Sequence, residues 1–315
     1  MKYRQFKKSG LYVSEIGIGT NRFGHNVDQK DVNKIIHYCL DEGINYIDTA
    51  NTYANGKSEE SLGNAFDNNR KSFIIGTKVG WPNDFDANQG LLSSKSLFWH
   101  VDQSLVKLNT DYIDILWLHK WDEDTPIIET LNAISILIKQ GKIRYLGISN
   151  FNSWQTSLIA TTASIKYDIS IISVQSEYNL LKRDTYLDLK ECIDYLDLSF
   201  IPYFPLASGF LTGKYSNNHI PSNSRGEWAT YMKNMLNKKH YQFLDELRLI
   251  ADNHEISLTE LSISWLLKHE NITSVICGVR NVDQLKLNSK SINCKLTYND
   301  NKIIEKIFNK HFVLH

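Results

Sequence analysis

The strongest constraint on this chain is a repeat of element type: short apolar runs, most of them ending at a polar residue, alternate with longer segments of helical periodicity. The runs are Ile16 to Ile18, Ile44 to Ile47, Phe73 to Thr77, Ile113 to Leu118, Arg144 to Ile148, Ile171 to Val174, Phe200 to Tyr203 and Thr273 to Ile276. They are short and largely apolar, as strands buried on both faces are. The residues at their ends, Asp48, Lys78, His119, Ser149, Gln175 and Tyr203, follow one another at intervals of 30, 41, 30, 26 and 28 residues. Each interval accommodates one βα unit. Eight such units in 315 residues predict a single domain over 1–315: a closed, parallel, eight-stranded (β/α)8 barrel with outer helices. A doubly wound open sheet is the second reading of the same alternation.

Local signals fill in this frame. From Asp28 to Gly43 the apolar residues Val32, Ile35, Ile36, Cys39 and Leu40 recur at helical spacing, with Asp28 as N-cap and Gly43 as stop. Further helices are expected at Ser58 to Asp67, from Ser94 onward, at Ser153 to Thr161, Leu187 to Tyr195, Met235 to Asn253 and Asn299 to Asn309. Another is predicted between Thr125, read as N-cap, and Gly141, with Pro126 in the first helical position. The step from Tyr203 to Gly278 is 75 residues. That excess is assigned to a long loop, Thr212 to Ala229, lying over the active face as a lid, and to the helix behind it. Leu11 to Ile16, after KKSG, is read as half of a short N-terminal hairpin that plugs the barrel's N-terminal mouth.

Charge narrows the partners. Lys plus Arg and Asp plus Glu both number 35, so no net field draws nucleic acid or an anionic membrane. Cys39, Cys192, Cys277 and Cys294 are scattered, which fits reduced thiols rather than a disulfide framework. No apolar leader or membrane-length run is present, and a cytoplasmic protein acting on a small molecule is expected. Oligomeric state is not legible.

In a parallel barrel every strand's carboxyl end faces one pocket, so Asp48, Tyr53, Lys78 and His119 would meet despite their separation. Their types suit proton transfer. A phenol titrating near 10 needs help to act at neutral pH, and a buried Lys78 would pull the Tyr53 pKa toward the working range while Asp48 keeps the ammonium charged. His119 would hold a carbonyl oxygen near the Tyr53 hydroxyl. The chain has no HExxH metal motif, no His/Cys cluster and no GxSxG elbow. No metal is expected, and the missing reactant is a cofactor hydride. GIGTNRFG at 17 to 24 has GxGxxxxG spacing and is not a dinucleotide fingerprint.

Several motifs in order carry a family resemblance: GIGT at 17 to 20, Asp48 through Tyr53, GTK at 76 to 78, LH at 118 to 119 and GISNF at 147 to 151. Gln175 with Tyr178 and Asn179, PYFPLASGFLTGKY at 202 to 215, and the segment Gly278 to Asn288 continue it. From about Tyr3 to about Asn309 the chain resembles the aldo/keto reductases. The resemblance implies a TIM barrel that binds NADPH, with NADH as the alternative, and makes Asp48, Tyr53, Lys78 and His119 a catalytic tetrad. It implies that Ser149, Asn150 and Gln175 hold the nicotinamide carboxamide and that Tyr203 stacks on the ring. Gly19 and Thr20 would lie at the rim near the cofactor, and Leu206, Ser208 and Gly209 would follow the pyrophosphate. Gly278, Arg280, Gln284 and Asn288 would match the adenosine end, where Arg280 can fork onto a 2′-phosphate. Asn21, Arg22, Phe23, Trp81 and Trp121, with the Thr212 to Ala229 loop, are expected to shape the substrate pocket. Cys277 and Phe204 stand where proline and serine are common in the family.

The resulting expectation is an oxidoreductase reducing an aldehyde, ketone or sugar carbonyl. The alternatives are a cofactor-binding auxiliary subunit with little turnover, and a lyase forming a Schiff base on Lys78.

Overall fold

The computed structural model describes residues 1–82, 89–216, 219–222 and 224–312. The chain opens with an antiparallel hairpin of β1 (Tyr3–Gln5) and β2 (Tyr12–Ser14), in which Arg4 faces Val13. Eight parallel strands follow: β3 (Ile16–Gly19), β4 (Tyr46–Asp48), β5 (Ile74–Val79), β6 (Ile113–Leu118), β7 (Ile143–Ser149), β8 (Ile171–Glu177), β9 (Ser199–Tyr203) and β10 (Val275–Gly278). They pair in chain order, and β10 closes the barrel by pairing with both β9 and β3, aligning Gly278 with Gly19. The closed barrel replaces the open-sheet alternative.

The helices on the outside are α1 (Gln29–Glu42), α2 (Lys57–Phe66), α3 (Ser94–Lys107), α4 (Ile127–Lys139), α5 (Ser153–Tyr167) and α6 (Asp184–Tyr195). After β9 come α7 (Arg225–Trp228), α8 (Thr230–Met235), α9 (Lys238–Asn253) and α10 (Leu258–Leu267), and after β10 come α11 (Val282–Lys290) and α12 (Tyr298–Phe312). Local chemistry sets their ends. Asp28 accepts the Asp31 N–H to start α1, and Gly43 ends it at φ 71°, a left-handed conformation that glycine adopts without a Cβ penalty.

Three expectations need correction. Thr125 does not cap α4: its hydroxyl donates to Asp122 Oδ2, and Pro126 occupies the cap position. The excursion between β9 and β10 is more than a loop with one helix behind it, since α7, α8 and α10 lie there as well. Asn217, Asn218 and Asn223 of the expected lid lie outside the described residues. Finally, α10 was not predicted; every residue in it except the partly exposed Glu260 is buried, so no broad polar face marks it as an amphipathic helix.

The core has two layers. The larger fills the space between strands and helices, and the smaller lies around the barrel's interior and its plug, formed by Phe6, Val13, Tyr46, Ile115, Trp117, Ile172, Ile201 and Ile276. Trp117 fits because Gly147 stands opposite: a Cβ there would come within 2.4 Å of the indole. The hairpin covers this end of the barrel, with Phe6 edge-on to Tyr46 at 5.7 Å between ring centroids. Arg4 fastens it by donating to the carbonyls of Leu267 (2.6 Å), His269 (3.1 Å) and Ile272 (2.8 Å). A cation is favoured beside the carbonyl end of a helix such as α10.

Candidate active site

At the opposite end, the strands deliver the four candidate side chains to one point. Asp48 is the last residue of β4, Lys78 the penultimate residue of β5, and His119 follows β6 directly. Tyr53 opens a single 3-10 turn in which Ala54 and Asn55 take left-handed φ values of 49° and 56°. The Lys78 ammonium is fully engaged: Nζ donates to Asp48 Oδ2 at 2.5 Å, to the Thr49 carbonyl at 2.9 Å and to the Tyr53 hydroxyl at 3.3 Å. Asp48 Oδ1 accepts from Gln175 Nε2 at 2.8 Å. The Tyr53 and His119 rings meet edge to face at 6.2 Å between centroids.

The electrostatics follow from burial and pairing. Burial alone would lower the Lys78 pKa, but Asp48 and the Tyr53 oxygen outweigh it and hold the ammonium above the ordinary lysine value. This lysine stays protonated, whereas a Schiff-base nucleophile must be neutral. Burial raises the Tyr53 phenol, Lys78 opposes that, Asp48 adds to it, and the net direction is upward. The expected depression of the Tyr53 pKa is therefore corrected: desolvation exceeds the pull of an ammonium whose charge Asp48 largely offsets. The phenol keeps its proton at neutral pH, with Lys78 beside it to stabilise the phenolate that donation leaves. Burial, followed by the Lys78 charge, lowers His119 to about 3. Its imidazole is neutral, and one nitrogen can donate a hydrogen bond to an acceptor in the cavity.

These residues open into a cavity of about 1150 Å³. Each residue assigned to the cofactor lines it: Gly19, Thr20, Ser149, Asn150, Gln175, Tyr203, Leu206, Ser208, Gly209, Gly278, Arg280, Gln284 and Asn288. Asn150 is fixed at the centre, its Nδ2 donating to the His119 carbonyl at 2.9 Å and its Oδ1 accepting from the Tyr203 hydroxyl at 2.8 Å. Gln284 accepts the Arg280 N–H at 2.9 Å, ordering the turn into α11. Burial lowers the Arg22 guanidinium, and the nearby Arg225 and Arg280 charges lower it further, so three arginines share one part of the wall.

This donor set fits a dinucleotide. Amide and hydroxyl groups stand near the tetrad, Tyr203 offers an aromatic face, and guanidinium groups on the wall can pair with phosphates. The volume exceeds that of ordinary small-molecule sites, about 300–1,000 Å³. Among the described residues no three His, Cys, Asp or Glu side chains are grouped as a metal site requires.

Of the residues expected to shape the substrate pocket, Asn21, Arg22 and Trp81 line the cavity, and Phe23 and Trp121 do not. Phe23 is fully buried in the core because the chain turns inward after Thr20, the Phe23 N–H bonding to the Thr20 carbonyl. Trp121 packs edge-on against Phe151 (5.5 Å) and Trp154 (5.3 Å). Both were placed by their closeness in sequence to the rim, which does not say which way a side chain faces. From the Thr212 to Ala229 loop, Thr212, Lys214 and Arg225 line the cavity, and Lys120 lines it without having been singled out. The place of Lys120 beside His119 was the available signal; Arg225 lies in the long excursion, where no periodicity fixes position.

A closed (β/α)8 barrel with a buried Tyr–Lys–Asp constellation beside a neutral histidine is an arrangement suited to an oxidoreductase. The chain belongs to the aldo/keto reductase family, whose sequence model matches residues 15–309. It is similar to a probable voltage-gated potassium channel subunit beta of Arabidopsis thaliana, with 33% identity over 93% of this chain and 91% of that protein. A counterpart in Oryza sativa subsp. japonica is 32% identical over the same shares. L-glyceraldehyde 3-phosphate reductase of Escherichia coli K12 is 32% identical over 97% of this chain and 91% of its own. No helix among the described residues is long and apolar enough to cross a membrane.

Proposed function

We propose that this protein is an NADPH-dependent reductase of small aldehydes, ketones or open-chain sugars, with Tyr53 as proton donor. The observation that carries the reading is the buried chain Asp48–Lys78–Tyr53 facing the neutral imidazole of His119. A bound reduced nicotinamide supplies the hydride. Ser149, Asn150 and Gln175 would hold its carboxamide, and Tyr203 would offer its ring for stacking. His119 positions the carbonyl oxygen, and Tyr53 transfers its proton to that oxygen as charge develops. Lys78 then stabilises the phenolate, and Asp48 keeps Lys78 charged and aligned. Every step reverses for alcohol oxidation.

The names of the plant relatives favour a second reading, a cofactor-binding channel subunit. The complete tetrad favours turnover. Titration with NADPH and NADH by fluorescence, followed by a panel of aldehydes, ketones and sugars at the nicotinamide absorbance, separates the two. The reductase reading requires carbonyl-dependent oxidation of NADPH. Cofactor binding without turnover on any carbonyl would leave the subunit reading, and no binding of either nucleotide would end both. Arg280→Ala should weaken NADPH by about 10-fold and NADH far less, as expected for a lost charged contact. An equal loss for both nucleotides would remove Arg280 from the 2′-phosphate.

A further inference from the structure

The chain carries equal numbers of acidic and basic residues, but the cavity wall does not share that balance. Among the described residues it is lined by Arg22, Lys78, Lys120, Lys214, Arg225 and Arg280, against one carboxylate, Asp48. Asp48 is committed to Lys78. Besides that pair the wall carries five cations.

Four of the five lie together. Arg280 follows β10, and Arg22 follows the neighbouring β3 and feels the charges of both Arg225 and Arg280. Lys214 follows β9, the other neighbour of β10, with Nζ 3.0 Å from where a Cβ on Gly209 would stand. The Arg225 guanidinium lies 5.7 Å from the centre of the Phe204 ring, beside β9. An NADPH molecule carries about four negative charges, two on the pyrophosphate and nearly two on the 2′-phosphate. Those four cations match them.

Lys120 is left over and lies elsewhere. It follows β6, which is four strands from β10 in either direction round the barrel, the far side of the ring. Its neighbour in sequence is His119, and its Nζ lies 5.9 Å from the centre of the Trp81 ring. That ring is 4.9 Å from the His119 imidazole. Among the described residues Lys120 forms no ion pair, and it lines the cavity while half-buried. A cation at this place stands next to the group that positions the carbonyl and cannot serve phosphates at β10.

We propose that Lys120 recognises an anionic group on the substrate, and that the preferred substrates are short aldehydes bearing a phosphate monoester. Trp81 forms the wall between the two anchors, so that the carbonyl at His119 and the phosphate at Lys120 are held a few bonds apart. The proposal rests on the reductase reading and deepens it.

The test uses the full-length protein. NADPH oxidation is followed with glyceraldehyde 3-phosphate and with glyceraldehyde, and the NADP+ complex is separately titrated with glycerol 3-phosphate and with glycerol. The wild type should prefer the phosphorylated aldehyde by about 10- to 100-fold in kcat/KM, the range for one charged hydrogen bond. In Lys120→Ala that ratio should fall toward unity through KM, and the Kd for glycerol 3-phosphate should rise about 10-fold or more, while Lys120→Arg keeps both. The Kd for NADPH should change less than about 2-fold, because the cofactor's phosphates are served elsewhere. No preference for phosphate in the wild type, or a preference that survives in Lys120→Ala, would overturn the assignment. So would an equal loss of NADPH affinity. Failure of the reductase reading looks different: the cofactor does not bind, or the NADP+ complex distinguishes the two ligands through Lys120 without any aldehyde being turned over.

Discussion

At the scale of single residues, the arrangement divides proton transfer between groups of opposite tendency. Tyr53 is held above the ordinary phenol value by burial, and His119 is held well below the ordinary imidazole value. The first keeps a proton to give, and the second never gains a charge that would repel Lys78. Tyr53→Phe should lower kcat by about 10²- to 10⁴-fold, the worth of a positioned general acid. Cofactor affinity should stay nearly unchanged, and a variant with near-normal turnover would remove Tyr53 as donor. Reduction by the wild type should be level through neutrality and decline only at alkaline pH, above the ordinary tyrosine value near 10. A decline near pH 7 would point to another proton donor. The meeting of these four side chains was legible because Asp48, Lys78 and His119 stand at or just past the end of an apolar run and Tyr53 follows in the next turn. Phe23 and Trp121 were misplaced because a rim residue's facing depends on turn geometry, here the bond from the Phe23 N–H to the Thr20 carbonyl.

At the scale of elements, the barrel depends on how closely neighbouring strands let large side chains lie. The Trp117 indole on β6 rests on Gly147 of β7, with no room for another carbon. Gly147→Ala should destabilise the protein by about 1–3 kcal/mol, the usual cost of overpacking. Denaturant unfolding followed by tryptophan fluorescence would measure it, and unchanged stability with an unshifted spectrum would mean that the indole has space to move. Element legibility followed exposure. α1 shows a buried stripe of Val32, Ile35, Ile36 and Cys39 against polar neighbours, and so could be read. α10 is buried along its length except at Glu260 and offers almost no polar face to read. Thr125 has the residue type of a helix cap, but Asp122 is three residues away and takes its hydroxyl.

At the scale of the whole molecule, buried histidines couple stability to pH. His269 is held at about 4 by burial and by the Lys268, Arg183 and Lys190 charges, and His119 at about 3. In the unfolded chain both titrate near 6.5. As pH falls through 6.5, the unfolded state takes up protons that the folded state refuses, so stability declines from there toward pH 4. Each histidine should cost about 2 kcal/mol between pH 7 and pH 5. His269→Gln should make this slope shallower in denaturant titrations at the two pH values; an unaltered slope would place the proton uptake elsewhere.

The N-terminal hairpin has a consequence for synthesis. Arg4 is made long before the carbonyls that receive it, which belong to Leu267, His269 and Ile272. Phe6 packs in the cluster that includes Ile276. On the ribosome the plug must therefore wait, unseated, until almost the entire barrel has been translated. Closure of the floor and entry of the final strand thus fall within the same late interval, and a chain stalled before that strand exposes the barrel's apolar interior at an end that the finished protein keeps covered.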